Sequence, residues 1–251
     1  MSRMTIEEMK RRKRELGYTN QMIADRSGIP LSTVQKVFAG ATASPRRETV
    51  EALEKVLESG NSDTAGKPLY TLEDYLKLPD EQRVELIDGV FYDMAAPTTI
   101  HQGIAGFLYK KFLDFVMENK GPCFPFISPV DVQLDCDDKT VVQPDVLVVC
   151  DRSKYKNGRV FGAPDLVIEV LSPSTRRKDM QLKMYKYSEA GVREYWMVDP
   201  EKKVVVQYDL DHLEIPTIYN FQSEVPVLIW DGACRIDLRE MVETIGFLWE
   251  L

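Results

Sequence analysis

The feature that most narrows the fold is a break in character at residues 59–69, SGNSDTAGKPL, where Gly, Ser and small polar groups leave no periodic apolar signal. Before it, apolar residues recur at helical spacing. After it, strand-type runs alternate with helices. The chain therefore reads as two domains, residues 1–60 and 70–251, joined by a flexible linker at 61–69.

In the first domain Thr5 and Glu8 form a capping box ahead of a helix that carries Ile6, Met9 and Leu16 and stops at Gly17, with the KRRKR run at 10–14 on its other face. Thr19 caps a second short helix through Met22, Ile23 and Ala24. Gly28 turns the chain and Pro30 opens a third helix, ended by Gly40. A fourth starts at Ser44 with Pro45 in its first helical position and lines one face with Val50, Leu53 and Leu57.

In the third helix Val34 and Val37 point inward, which leaves Ser32, Thr33, Gln35 and Lys36 outward as hydrogen-bonding groups for bases and phosphates. Gln21, near the start of the preceding helix, is placed to meet a phosphate. The stretch TNQMIADRSGIPLSTVQKVFAG resembles the helix-turn-helix of the Cro/C1-repressor-like (XRE) family, over essentially all of residues 4–58. That resemblance implies DNA binding through the third helix in a major groove. A small helical bundle for protein contact or dimerisation is the plainer reading of the same residues.

From Tyr70 onward Thr71 and Asp74 cap a brief helix, and RVELIDGVFYDM reads as two strands around an Asp88-Gly89 turn. Residues 100–119 form a long amphipathic helix. Three strand-type stretches follow at roughly 124–134, 141–150 and 164–171, then a helix over 175–190 stopped by Gly191. EYWMVD and KVVVQYD are two strands joined by a tight turn at Pro200, and a closing helix spans 237–247.

Two carboxylates stand where this pattern calls for apolar residues. Asp145, after Pro144, opens one buried run, and Glu169 lies near the end of LVIEV. Among neighbours such as Val167, Ile168 and Val170, an unpaired Glu169 would cost several kcal/mol in desolvation, so it needs a metal, a cation or protonation unless it faces solvent. Convergent carboxylates are what a hard divalent cation takes as ligands.

The order helix, three strands, helix, strand, with the acidic pair on the second and third strands, resembles the PD-(D/E)XK nuclease superfamily. More narrowly, VELIDG at 84–89, His101, PDV at 144–146, EVLSPST at 169–175 and GVREYWMVDP at 191–200 resemble the Uma2 family of restriction-endonuclease-type proteins, over residues 70 to about 245. The resemblance implies an α+β chain: an all-α helix-turn-helix domain followed by an α/β nuclease domain with a mixed central sheet. It implies Asp145, Glu169 and the main-chain carbonyl of Val170 as ligands of Mg²⁺ or Mn²⁺.

The superfamily lysine is missing, because Leu171 occupies its position. Lys183 on the following helix is the expected replacement, orienting the attacking water, with an exposed helix lysine as the alternative and Lys186 the next candidate. Glu85 either adds a third carboxylate or binds a basic side chain. His101 serves as proton carrier or substrate contact, or only caps its helix. Arg176, Arg177 and Lys178 suggest a phosphate contact or a solvated turn.

Residues 1–60 hold 11 Lys/Arg against 8 Asp/Glu, net +3, within a chain of net charge −8, so residues 61–251 carry −11. A mildly basic head suits phosphates, whereas the acidic body repels DNA unless carboxylates hold cations. Cys123, Cys136, Cys150 and Cys234 form no C-x-x-C pair, and with two histidines no zinc-finger spacing can be assembled. A reduced, cytoplasmic setting is expected, with no membrane insertion, since no apolar segment of signal or spanning length follows the basic run. The expected activity is metal-dependent hydrolysis of DNA phosphodiesters by a homodimer. The alternative is a DNA-binding transcriptional regulator whose nuclease-like body is inactive and serves dimerisation or sensing.

Overall fold

In this computed structural model the described residues are 4–15, 18, 20–39, 45–59, 69–79, 82–135, 137–172, 182–212 and 215–250. Gly17, Thr19, Gly40, Ser44, the linker 61–68, the residues 173–181 and the side chain of Gln21 lie outside them. The chain divides into two compact units, Met1–Leu69 and Tyr70–Leu251.

The first unit is helical: α1 Ile6–Glu15, α2 Asn20–Ser27, α3 Leu31–Phe38 and α4 Arg47–Ser59. Thr5 caps α1 reciprocally, its amide donating to Glu8 (2.7 Å) while the Glu8 amide donates to the Thr5 hydroxyl (3.2 Å). Met9, Ile23, Val34, Val37, Leu53 and Leu57 close the core. Two expectations change. α4 starts at Arg47, since the Arg46 carbonyl accepts the first helical hydrogen bond, from Val50. The basic run is not all solvated: Lys13 is buried, with its ammonium 5.6 Å from the Phe38 ring centroid, and Arg12 donates to the Leu57 carbonyl.

The second unit begins with α5 Leu72–Tyr75, held by a Thr71/Asp74 capping box, and a hairpin of β1 Val84–Ile87 and β2 Val90–Asp93. Asp88 and Gly89 turn that hairpin at φ 50° and 76°. Then come α6 Thr99–Asn119, β3 Phe124–Ile127, β4 Val132–Gln133, β5 Val146–Val149, β6 Tyr155–Lys156, β7 Arg159–Phe161 and β8 Leu166–Val170. After α7 Met184–Ala190 the chain adds β9 Glu194–Asp199, β10 Val204–Asp209, β11 Thr217–Asn220, β12 Glu224–Pro226, β13 Arg235–Asp237 and α8 Leu238–Ile245. None of the described helices is long and apolar enough to cross a membrane.

The central sheet has the order β11-β10-β9-β8-β5-β3 and is mixed, with β8 and β9 parallel and every other neighbour antiparallel. The stretch expected as one strand at 124–134 is broken at Ser128-Pro129 into β3 of the central sheet and β4 of a small three-stranded sheet. Proline lacks the N–H that an interior ladder position needs. Likewise only Val146–Val149 of 141–150 joins the central sheet, while Val141 and Val142 bridge to Leu86 and Val132.

Alternation sorts the strands onto two cores. Val146, Val148, Leu166, Ile168 and Val170 face α6 and α8, whereas Leu147, Val149 and Val167 face the side covered by Tyr187 of α7 and Ile87 of β1. Cys123 and Cys150, one register step beyond the Phe124↔Val149 pair, are joined by a disulfide, which corrects the fully reduced reading.

Candidate active site

β5 and β8 run antiparallel with Val146 opposite Ile168, so one further step sets Asp145 against Glu169. By alternation both carboxylates share the face that carries Leu147 and Val167, the face under α7. Glu85 reaches the same side from β1, two residues before Ile87. The result is a cleft of about 230 Å³ lined by Glu85, His101, Asp145, Glu169, Val170 and Lys183, with Arg83 and Ser128 also on its wall.

Lys183, the residue just before α7 and already in helical conformation, holds the two deepest carboxylates together. Its ammonium lies 2.7 Å from Glu85 Oε1 and 2.8 Å from Glu169 Oε1, and all three side chains are at most 4% exposed. Of the ways open to a buried Glu169, the structure takes the cation. Two further donors fix the arrangement: Tyr187, one helical turn after Lys183, donates to Glu169 Oε1 at 2.6 Å, and the Gln143 amide donates to Glu85 Oε1 at 3.0 Å. Burial first, then the charge of Glu169, pushes the Tyr187 phenol well above its ordinary range and keeps it a donor.

Asp145 is less enclosed, at 14% exposed. Its Oδ2 accepts the Val170 N–H at 2.8 Å and lies 3.1 Å from His101 Nε2. His101 stands in the first turn of α6 and lines the cleft; its main-chain amide donates to Thr98 Oγ1, so the residue that caps this helix is Thr98 and not His101. Lys186 is absent from the cleft lining and is not an exposed helix lysine: it is buried and paired with Asp88 (2.9 Å) and Asp135. Arg176, Arg177 and Lys178 lie outside the described residues.

Whether a divalent cation suits this cleft turns on its donors. The cleft offers hard oxygens: the Asp145 carboxylate, Glu169, and Gln143, whose buried Oε1 meets no hydrogen-bond donor among the described residues. Two carboxylates with main-chain and water oxygens are the sparse set that Mg²⁺ accepts, so the residues fit such an ion.

In the helical unit, Ser32, Gln35 and Lys36 of α3 are exposed and Thr33 is half-buried, while Val34 and Val37 are buried. Sequence reasoning missed Tyr187 and Gln143. The available signals were the i, i+4 spacing of Tyr187 from Lys183 and the position of Gln143 directly before Pro144-Asp145.

A family model described as “Putative restriction endonuclease” matches residues 72–230, a stretch that contains every cleft residue named above. The chain belongs to the Uma2 family. A helix-turn-helix model matches residues 9–60, so the Uma2 domain follows a DNA-binding domain of that type. An uncharacterized protein of Synechocystis is 30% identical over 184 residues, covering 72% of this chain and 90% of its own length. A crystal structure from Anabaena variabilis, described as “a putative nuclease belonging to DUF820”, shares the fold at a TM-score of 0.57 and 21% identity, covering 69% of this chain and 97% of its own.

Proposed function

We propose that the Uma2 domain is a Mg²⁺- or Mn²⁺-dependent endodeoxyribonuclease, directed to DNA by the helix-turn-helix domain and acting as a cytoplasmic homodimer on a site of matching two-fold symmetry. The observation that carries the reading is the meeting of Asp145, Glu169 and the Lys183 ammonium on one face of the sheet, where Lys183 stands in for the lysine absent at Leu171.

Asp145, Glu169 and the Val170 carbonyl would hold the divalent ion, which supplies Lewis-acid polarisation of the scissile phosphate and a more acidic water. Lys183 orients that water and stabilises negative charge developing on the phosphoryl oxygens. Glu85 holds Lys183 in place from the opposite side. His101, 3.1 Å from Asp145, relays a proton at the cleft wall. On the helix-turn-helix side Ser32, Thr33, Gln35 and Lys36 meet bases and phosphates, and Gln21 a phosphate.

Purified protein is expected to nick plasmid DNA with Mg²⁺ and to stop with EDTA, and Asp145→Ala or Glu169→Ala is expected to abolish cutting with the circular dichroism spectrum unchanged. Cutting that survives both substitutions overturns the mechanism. One observation favours the rival reading of an inactive body on a DNA-binding regulator: the Lys183 charge is already matched by two carboxylates. Footprinting on DNA without cleavage under any divalent metal would establish that rival.

A further inference from the structure

The cleft described above is negatively charged for a site meant to receive a polyanion. Its carboxylates are Glu85, Asp145 and Glu169, and its ammonium, Lys183, is fully engaged by two of them. A phosphodiester approaching this wall meets net repulsion unless another cation faces it. Among the described residues of the lining, Arg83 is that cation. It precedes Glu85 by two residues, so alternation along the chain brings both side chains to the cleft, Glu85 deep and Arg83 exposed. The Arg83 guanidinium makes no ion pair among the described residues. Among the described residues its side-chain hydrogen bond is from Nη2 to the Ser128 hydroxyl at 3.5 Å, the outer limit of hydrogen bonding.

A guanidinium left without a carboxylate, in a domain of strong negative charge and on the wall of a carboxylate-lined cleft, has its planar fork available for a tetrahedral anion. Gln102 and Ser128 on the same lining add neutral donors, and the first turn of α6 beside them contains no acidic residue to compete. We infer that Arg83 is a phosphate-binding residue of the cleft, gripping a phosphate group of the nucleic-acid strand beside the bond to be cut, with Ser128 assisting. This rests on the nuclease reading for its biological meaning but not for its test.

The test is fluorescence anisotropy of a labelled tetrathymidylate, too short to span a helix-turn-helix site, added to the full-length protein in EDTA, with inorganic phosphate as competitor. Wild type is expected to bind. Arg83→Gln should weaken binding roughly tenfold or more, the loss of one charge-assisted contact. Arg83→Lys should fall between, since it keeps the charge and loses the fork. Both variants should melt at the wild-type temperature, because the side chain is exposed.

Equal affinity of wild type and Arg83→Gln overturns the assignment, and so does absence of binding by wild type. Displacement of the probe by inorganic phosphate assigns the grip to a free anion. Resistance to displacement assigns it to the strand. Arg83-dependent binding by a protein that never cuts DNA with any metal keeps the phosphate site and removes the nuclease reading alone.

Discussion

Lys183 joins two carboxylates that share almost no solvent, and removing it leaves both charges buried with their strongest partner gone. Lys183→Met is therefore expected to lower the unfolding free energy by about 3–5 kcal/mol, measured by urea denaturation, and to abolish cutting. Adding Glu85→Gln to Lys183→Met should recover part of that stability and none of the activity, because it removes one stranded charge without returning the ammonium. Recovery of activity in the double variant would disprove the role given to Lys183. A second buried group is predicted to be inert. Burial, helped by the charge of Glu194, pushes the Cys234 thiol up to about 11, so the reactive thiolate is on the order of one part in a thousand at pH 8. Iodoacetamide should label Cys234 only after unfolding, and rapid labelling of the native protein at pH 8 would contradict its buried setting.

At the scale of elements, the site is assembled by docking one helix end on one hairpin. Lys183 and Lys186, three residues apart at the start of α7, meet Glu85 and Asp88, three residues apart across β1 and its turn. Each lysine also holds a second carboxylate, Glu169 for the first and Asp135 for the second. The Lys186 pairing lies outside the cleft, so it acts on catalysis only by keeping α7 in register over β8. Lys186→Met is expected to destabilise by about 2–3 kcal/mol, less than a fully sealed pair because Asp135 retains some solvent. It should reduce cutting without abolishing it, in contrast to Lys183→Met. Parallel plasmid-nicking and denaturation measurements on the two variants check this ranking, and equal loss of activity would refute it.

At the scale of the whole molecule, the proposed function divides recognition from chemistry between the helix-turn-helix unit and the Uma2 unit. A chain of residues 70–251 is expected to keep metal-dependent nicking and lose site preference, and Lys36→Ala in the full chain to reduce the salt slope of DNA binding by about one. Nicking assays and salt titrations on these variants check both outcomes. Much of this was legible in the sequence. Capping boxes, the apolar spacing of α1 to α4, the Asp88-Gly89 turn and the strand runs are local patterns, and the phrases around Asp145 and Glu169 carry the family resemblance. Partners distant in the chain were not legible from local pattern: Glu85, Asp145, Glu169 and Lys183 come from four separate stretches that only the family resemblance drew together, and local periodicity says nothing about which strands become neighbours. The break of 124–134 into two sheets was missed for the same reason, since its residues are strand-like on both sides of Pro129. The sequence by itself determined which elements form and which carboxylates have to be compensated, because helix and strand periods and desolvation cost are properties of short segments. Only the tertiary structure decided that β5 lies antiparallel to β8, that both carboxylates share one face, and that Lys183 rather than Lys186 reaches them. Long-range pairing is selected by the burial of whole faces, and no short stretch of chain encodes that choice.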